Sequence, residues 1–120
     1  MKDSRKALGH KGETLAVLYL EGKGYEIIER NFRCRRGEID IIAQKENELI
    51  FIEVRSRSTN NYGSAIESIN YRKQQRIRTL ALIYMQRKQR QEVNCSFDVI
   101  TFQFTGAGEN PVIHHYPRAF

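Results

Sequence analysis

The sequence predicts an α/β fold, a mixed β-sheet flanked by helices in the order α-β-β-β-α-β-β. Three observations carry this. An N-terminal stretch and a longer central one place their apolar residues as helices do, while the segments between and after them alternate like strands. The two halves of the central hairpin come into register on a very short link. Both prolines, Pro111 and Pro117, fall near the C-terminus, which leaves the interior free for regular structure. The sheet must be mixed, because only a helical crossover can join parallel strands.

The chain has 120 residues, close to the commonest domain size, so one domain over residues 1–120 is expected. Hydrophobic residues at 40% and charged residues at 28% describe an ordinary soluble protein and exclude a disordered one. No apolar run approaches the roughly 20 residues that span a bilayer, so no membrane partner is expected. The opening MKDSRKALGHKGE lacks the apolar stretch of a signal peptide, and the expected location is cytoplasmic. Cys34 and Cys95 stand far apart without metal-ligand spacing and read as reduced thiols. Twenty Lys+Arg against fourteen Asp+Glu give a net charge of +6. That field favours polyanions, of which nucleic acid is the commonest in a cell.

Taken in order, residues 4–21 suit a helix whose apolar positions are densest in its second half, and Gly22 and Gly24 stop it. YEIIERNFR, rich in β-branched and aromatic residues, reads as the first strand. A basic turn of Arg33, Arg35, Arg36 and Gly37 leads to EIDIIAQ, a short polar link, and ELIFIEVR. The polar loop SRSTNNYGS precedes the long helix, expected over 65–91, with Ile66, Ile69, Ile77, Leu80, Ala81 and Tyr84 mostly three or four residues apart. SFDVITFQF and VIHHY complete the sheet.

The hairpin carries the chemistry. A link centred on Glu46-Asn47 pairs Ala43 with Ile50, Ile41 with Ile52 and Ile39 with Val54 on an apolar, buried face. The other face then pairs Ile42 with Phe51, Asp40 with Glu53 and Glu38 with Arg55. Two carboxylates directly opposite, about 5 Å apart at Cβ, repel each other unless a cation lies between them. Carboxylate oxygens are hard ligands suited to Mg²⁺ or Mn²⁺. Arg55 projects from the same face and can grip a phosphate, but its pKa is too high for a general base. Polar residues alternating with Ile and Val are also what an ordinary solvated strand face would show.

Asp40, twelve intervening residues, then Glu53-Val54-Arg55 resembles the PD-(D/E)xK nuclease signature. The wider set, GHKGETLAVLYLEGKGYEIIERNFRCRRGEIDIIAQ, LIFIEVRSRS, YGSAIESI, FDVITF and HHYPRAF, resembles the bacterial YraN family over nearly the whole chain. That resemblance implies a restriction-endonuclease-like fold, similar to archaeal Holliday-junction resolvases. It implies that Asp40 and Glu53 ligate Mg²⁺ or Mn²⁺, that Glu13 is a further acidic site residue, and that Arg55 stands where the superfamily has lysine. Arginine keeps the charge but loses any proton-transfer role. The expected activity is a metal-dependent, structure-selective DNA endonuclease, with Asp40, Glu53, Arg55 and Glu13 as its catalytic set and a metal-activated water as nucleophile. The alternatives are a non-catalytic nucleic-acid-binding protein on a nuclease scaffold, or an adaptor for another protein. A homodimer is also expected, because resolvases cut two strands symmetrically.

Several residues carry two readings. Glu13 alone reads as a helix-dipole stabiliser, and the resemblance moves it to the site. Glu38 belongs to the same acidic face, either holding Arg55 or making a surface ion pair, and is left out of the metal set. Arg33, Arg35, Arg36 and Arg57 gather near the end of the hairpin that bears Asp40 and form a candidate phosphate rim. In the long helix, Arg87, Lys88 and Arg90 are accounted for by its C-terminus. Lys73 and Arg76, one turn apart at its start, are candidate phosphate contacts. Tyr62 and Gly63 are candidates for approach to the site. His10, His114 and His115 are assigned no chemistry, and Asp98 reads as a structural hydrogen-bonding group.

Overall fold

Helix α1 (Ser4–Gly22) runs to the Gly22–Gly24 stop, where Gly24 takes a positive φ of 91°. The computed structural model describes residues 4–56, 69–90, 93–103 and 111–120, with side chains in α1 from residue 11 onward. Strands β1 (Glu26–Cys34), β2 (Gly37–Lys45) and β3 (Glu48–Ser56) form an antiparallel meander. Helix α2 (Tyr71–Arg87) precedes β4 (Asn94–Gln103), which lies parallel to β3, and β5 (Val112–Tyr116) returns antiparallel. The spatial order β1-β2-β3-β4-β5 follows the chain, so the sheet is mixed, as expected.

The long helix begins later than its apolar pattern implied. Asn70 is extended, with φ −71° and ψ 176°, and its side-chain oxygen accepts the Lys73 N–H at 2.9 Å. Asparagine offers the backbone this bond in place of another helical turn, which makes it a start signal. Ile69 is therefore buried ahead of the helix rather than within it. Ala65 and Ile66 lie outside the described residues, as do Arg57, Tyr62 and Gly63. At the other end α2 stops at Arg87, short of residue 91, and Gln89 follows in a left-handed conformation (φ 54°).

The sheet has a helix on each face. Ala16 and Leu20 of α1 pack with Ile41, Ala43, Ile50, Ile52 and Ile100. Ile77, Leu80, Ala81, Tyr84 and Met85 of α2 pack with Phe32, Ile42, Phe51, Phe97 and Val99. Both faces of the hairpin are thus buried, with Ile42 and Phe51 as enclosed as Ile41 and Ile52. Midway along its length α1 meets β4 at Gly12, where a Cβ would fall inside the Phe102 ring. Only glycine permits that approach. Among the described residues, no helix is long and apolar enough to cross a membrane.

Candidate functional site

Strands β2 and β3 pair in the expected register from Lys45–Glu48 to Ile41–Ile52. The expected pairs Asp40–Glu53, Ile39–Val54 and Glu38–Arg55 are not formed. Instead the Asp40 carboxylate intervenes, its Oδ2 accepting the Val54 N–H at 2.8 Å. On its other side β2 stays paired with β1 through Ile39, Glu38 and Gly37. Glu38 therefore faces Arg33, which donates to it at 3.2 Å, and not Arg55. A hairpin considered alone could not show this, because β2 has two neighbours.

The opening beyond Ile41 is a cleft of about 330 Å³. Gly37, Glu38 and Asp40 of β2, Glu53 and Arg55 of β3, and Lys73 and Arg76 of α2 are among the residues that line it. From the α1 side Glu13 reaches the same place: carboxylate oxygens of Glu13, Glu38 and Asp40 lie within 4.8 Å of one another. Asn31, held with a left-handed φ of 56°, turns its amide toward Glu38 Oε2 (2.5 Å) and Glu13 Oε1 (3.2 Å). Arg30 stands 3.9 Å from Glu13. Three elements, α1, β2 and β3, thus bring four carboxylates together, β1 adds Asn31 and Arg30, and α2 closes the cleft with two cations.

Burial raises the cost of charge here. The Asp40 carboxyl is pushed up to about 6, chiefly by desolvation, with Glu13 and Glu38 adding to it while the Val54 N–H and Arg55 oppose. Glu53 is pushed up to about 8 by desolvation and then by Asp40, against Arg55 and Lys73. Lys73 is lowered, first by burial and then by Arg55. Arg55 stands 3.9 Å from Glu53, too long for a hydrogen bond. Its buried Nε and Nη2 have no hydrogen-bond partner among the described residues. Clustered hard oxygen donors fit a Mg²⁺-like cation, which would relieve the repulsion among them. Orphaned guanidinium N–H groups fit an anion beside it.

The profile described as uncharacterised protein family UPF0102, the YraN family, matches residues 12–102. The chain belongs to this family. It is 44% identical to a UPF0102 protein of Geobacter metallireducens over 96% of this chain and 93% of that relative. It is 46% identical to one from Desulforamulus reducens over 99% of each chain. A third, from Pelotomaculum thermopropionicum, is 43% identical over the whole of both.

In this YraN-family chain the cleft brings together Asp40, Glu53, Arg55, Lys73 and Arg76, and Glu13 joins Asp40. Glu38, left out on sequence grounds, stands with Glu13 and Asp40, whereas Glu53 shares the cleft with Asp40 but lies outside that three-carboxylate group. Of the expected phosphate rim, Arg33 is engaged by Glu38 and Arg35 is exposed, while Arg36 faces a neighbouring groove with Arg72 and Arg76. Asn31 and Arg30 escaped the sequence reading, and the only signal was an asparagine inside a strand, a residue that tolerates left-handed backbone. Asp98 is structural, as expected, and accepts bonds from the Arg118 N–H at 3.0 Å and Ser96 Oγ at 3.4 Å. His115, assigned no chemistry, is Asp98's closest partner at 2.7 Å. Cys34 and Cys95 are free and half-buried.

Proposed function

We propose that this YraN-family protein is a Mg²⁺- or Mn²⁺-dependent endonuclease that cuts DNA with selectivity for branched structure. One observation supports the reading most: half-buried Asp40 and buried Glu53 share a cleft with Arg55, two of whose buried nitrogens lack hydrogen-bond partners among the described residues. Asp40 and Glu53, with Glu13 and Glu38 behind Asp40, are the residues that would hold the cation. When bound, such a cation supplies a water of lowered pKa and charge stabilisation at the phosphate. Arg55 binds the scissile phosphate through Nε and Nη2 and stabilises the charge that develops on it. Lys73 and Arg76 hold the strand from the α2 side. Arg55 neither takes nor gives a proton.

The test is cleavage of end-labelled linear, flapped and four-way-junction DNA in Mg²⁺ and in Mn²⁺, with wild type beside Asp40→Asn. Cleavage by wild type alone supports the reading, and the preferred substrate identifies the structure it selects. Equal cleavage by both proteins removes Asp40 from the chemistry. The arginine at position 55 also favours a second reading, a non-catalytic nucleic-acid-binding protein. Salt-sensitive binding without cleavage would establish that one instead.

A further inference from the structure

The arginines of α2 divide into two groups. From mid-helix onward they lie on aromatic rings: Arg78 over Phe97 (4.9 Å) and Phe120 (5.6 Å), Arg87 over Phe32 (5.8 Å). Toward the N-terminal end, Arg72 and Arg76 have neither a ring nor an ion pair among the described residues. They sit at the end where the helix dipole disfavours positive charge, and the first turn has no acid to offset them.

Arg36, from the β1–β2 turn, adds a third cation. Together with Gln75 and Thr79 these arginines line a second cleft of about 330 Å³. Gly37 follows Arg36 with a φ of 141°, a backbone that favours glycine and sets the turn from which Arg36 projects. The two clefts share Arg76, so their occupants lie within the reach of one side chain. Three exposed arginines line this one cleft, and an anion bound among them would relieve their mutual repulsion.

We infer that this second cleft binds the phosphate next to the scissile one on the same strand. The protein thus holds a phosphodiester chain at two consecutive phosphates, with Arg36 and Arg72 on the second and Arg76 between them. The inference rests on the hydrolase reading above. Its consequence is selection for polynucleotides over mononucleotides and isolated phosphate esters, because a lone phosphate fills only one cleft.

The experiment measures binding of a short fluorescein-labelled DNA duplex by anisotropy in EDTA, where metal-dependent hydrolysis cannot interfere, from about 50 to 200 mM salt. Arg36→Gln and Arg72→Gln should each weaken binding several-fold and flatten the plot of log affinity against log salt by about 0.9. Arg87→Gln, whose guanidinium lies on Phe32, should keep the wild-type slope. Melting temperatures confirm that each variant is folded. Wild-type slopes in both Arg36→Gln and Arg72→Gln overturn the inference, and they leave the hydrolase reading standing if Mn²⁺-dependent cleavage persists. Flattened slopes in a protein that cuts nothing support the phosphate cleft and refute the hydrolase reading instead.

Discussion

A carboxyl buried as deeply as Glu53, with Asp40 beside it, holds its proton until the pH passes about 8, and Asp40 holds its own to about 6. Both values lie above those of the unfolded chain, about 4. Between the two sets the folded state binds more protons, so the contribution of these two carboxyls to the stability of the metal-free protein is fullest near pH 4 and is lost as the pH rises to 8. Replacing the charge with an amide removes that loss. Glu53→Gln should melt about 4 °C or more above wild type at pH 8 and close to it at pH 4, read by calorimetry in EDTA. The same variant should lose Mn²⁺ binding. In wild type, protons and metal compete for these oxygens, so Mn²⁺ affinity should climb from pH 6 to pH 8 with proton release on binding, both visible by titration calorimetry in two buffers. Asp40→Asn keeps an oxygen for the Val54 N–H, whereas Asp40→Ala strands that donor at a cost of about 1–3 kcal/mol. A melting comparison of the two separates the structural bond from the charge.

At the level of elements, the placement of Glu13 depends on how closely α1 approaches β4. Gly12→Ala would drive a methyl into the Phe102 ring, and overpacking of this kind costs about 1–3 kcal/mol. The expected result is a lower melting temperature together with weaker Mn²⁺ binding, because Glu13 moves with the helix. A melting temperature equal to wild type would mean that Phe102 yields freely. The hairpin register down to Ile41–Ile52 was legible because alternation and a short link allow only one pairing. Its end was not, because the competitor is a side chain: Asp40 takes the Val54 N–H that continued pairing would use. The start of α2 was missed for a related reason. Ile69 continues the apolar spacing into Asn70, but periodicity reports burial and not backbone, and the cap at Asn70 decides where the helix begins. The partner of Glu38 is Arg33 and not the expected Arg55, because the pattern of β2 is silent about β1.

Over the whole molecule an excess of +6 surrounds a cleft lined by buried acids. On the proposed reading the outer field would recruit a polyanion and the inner one a cation, and the two would respond differently to salt. Nucleic-acid affinity should therefore fall steeply with added KCl while Mn²⁺ affinity changes little, and comparable loss of both would place the metal on the surface. The parallel pairing of β3 with β4 has a further consequence, for the order of folding. β1, β2 and β3 close on two short turns, but Glu48 meets Asn94 only after the chain has built α2 and crossed back. Loop closure makes the second event slower. Substitutions in the meander should slow refolding, and substitutions in α2 should mainly hasten unfolding. Asp40 and Glu53 would then come together before Lys73 and Arg76 arrive, so a divalent cation bound at that stage would speed refolding as well as stabilise its product.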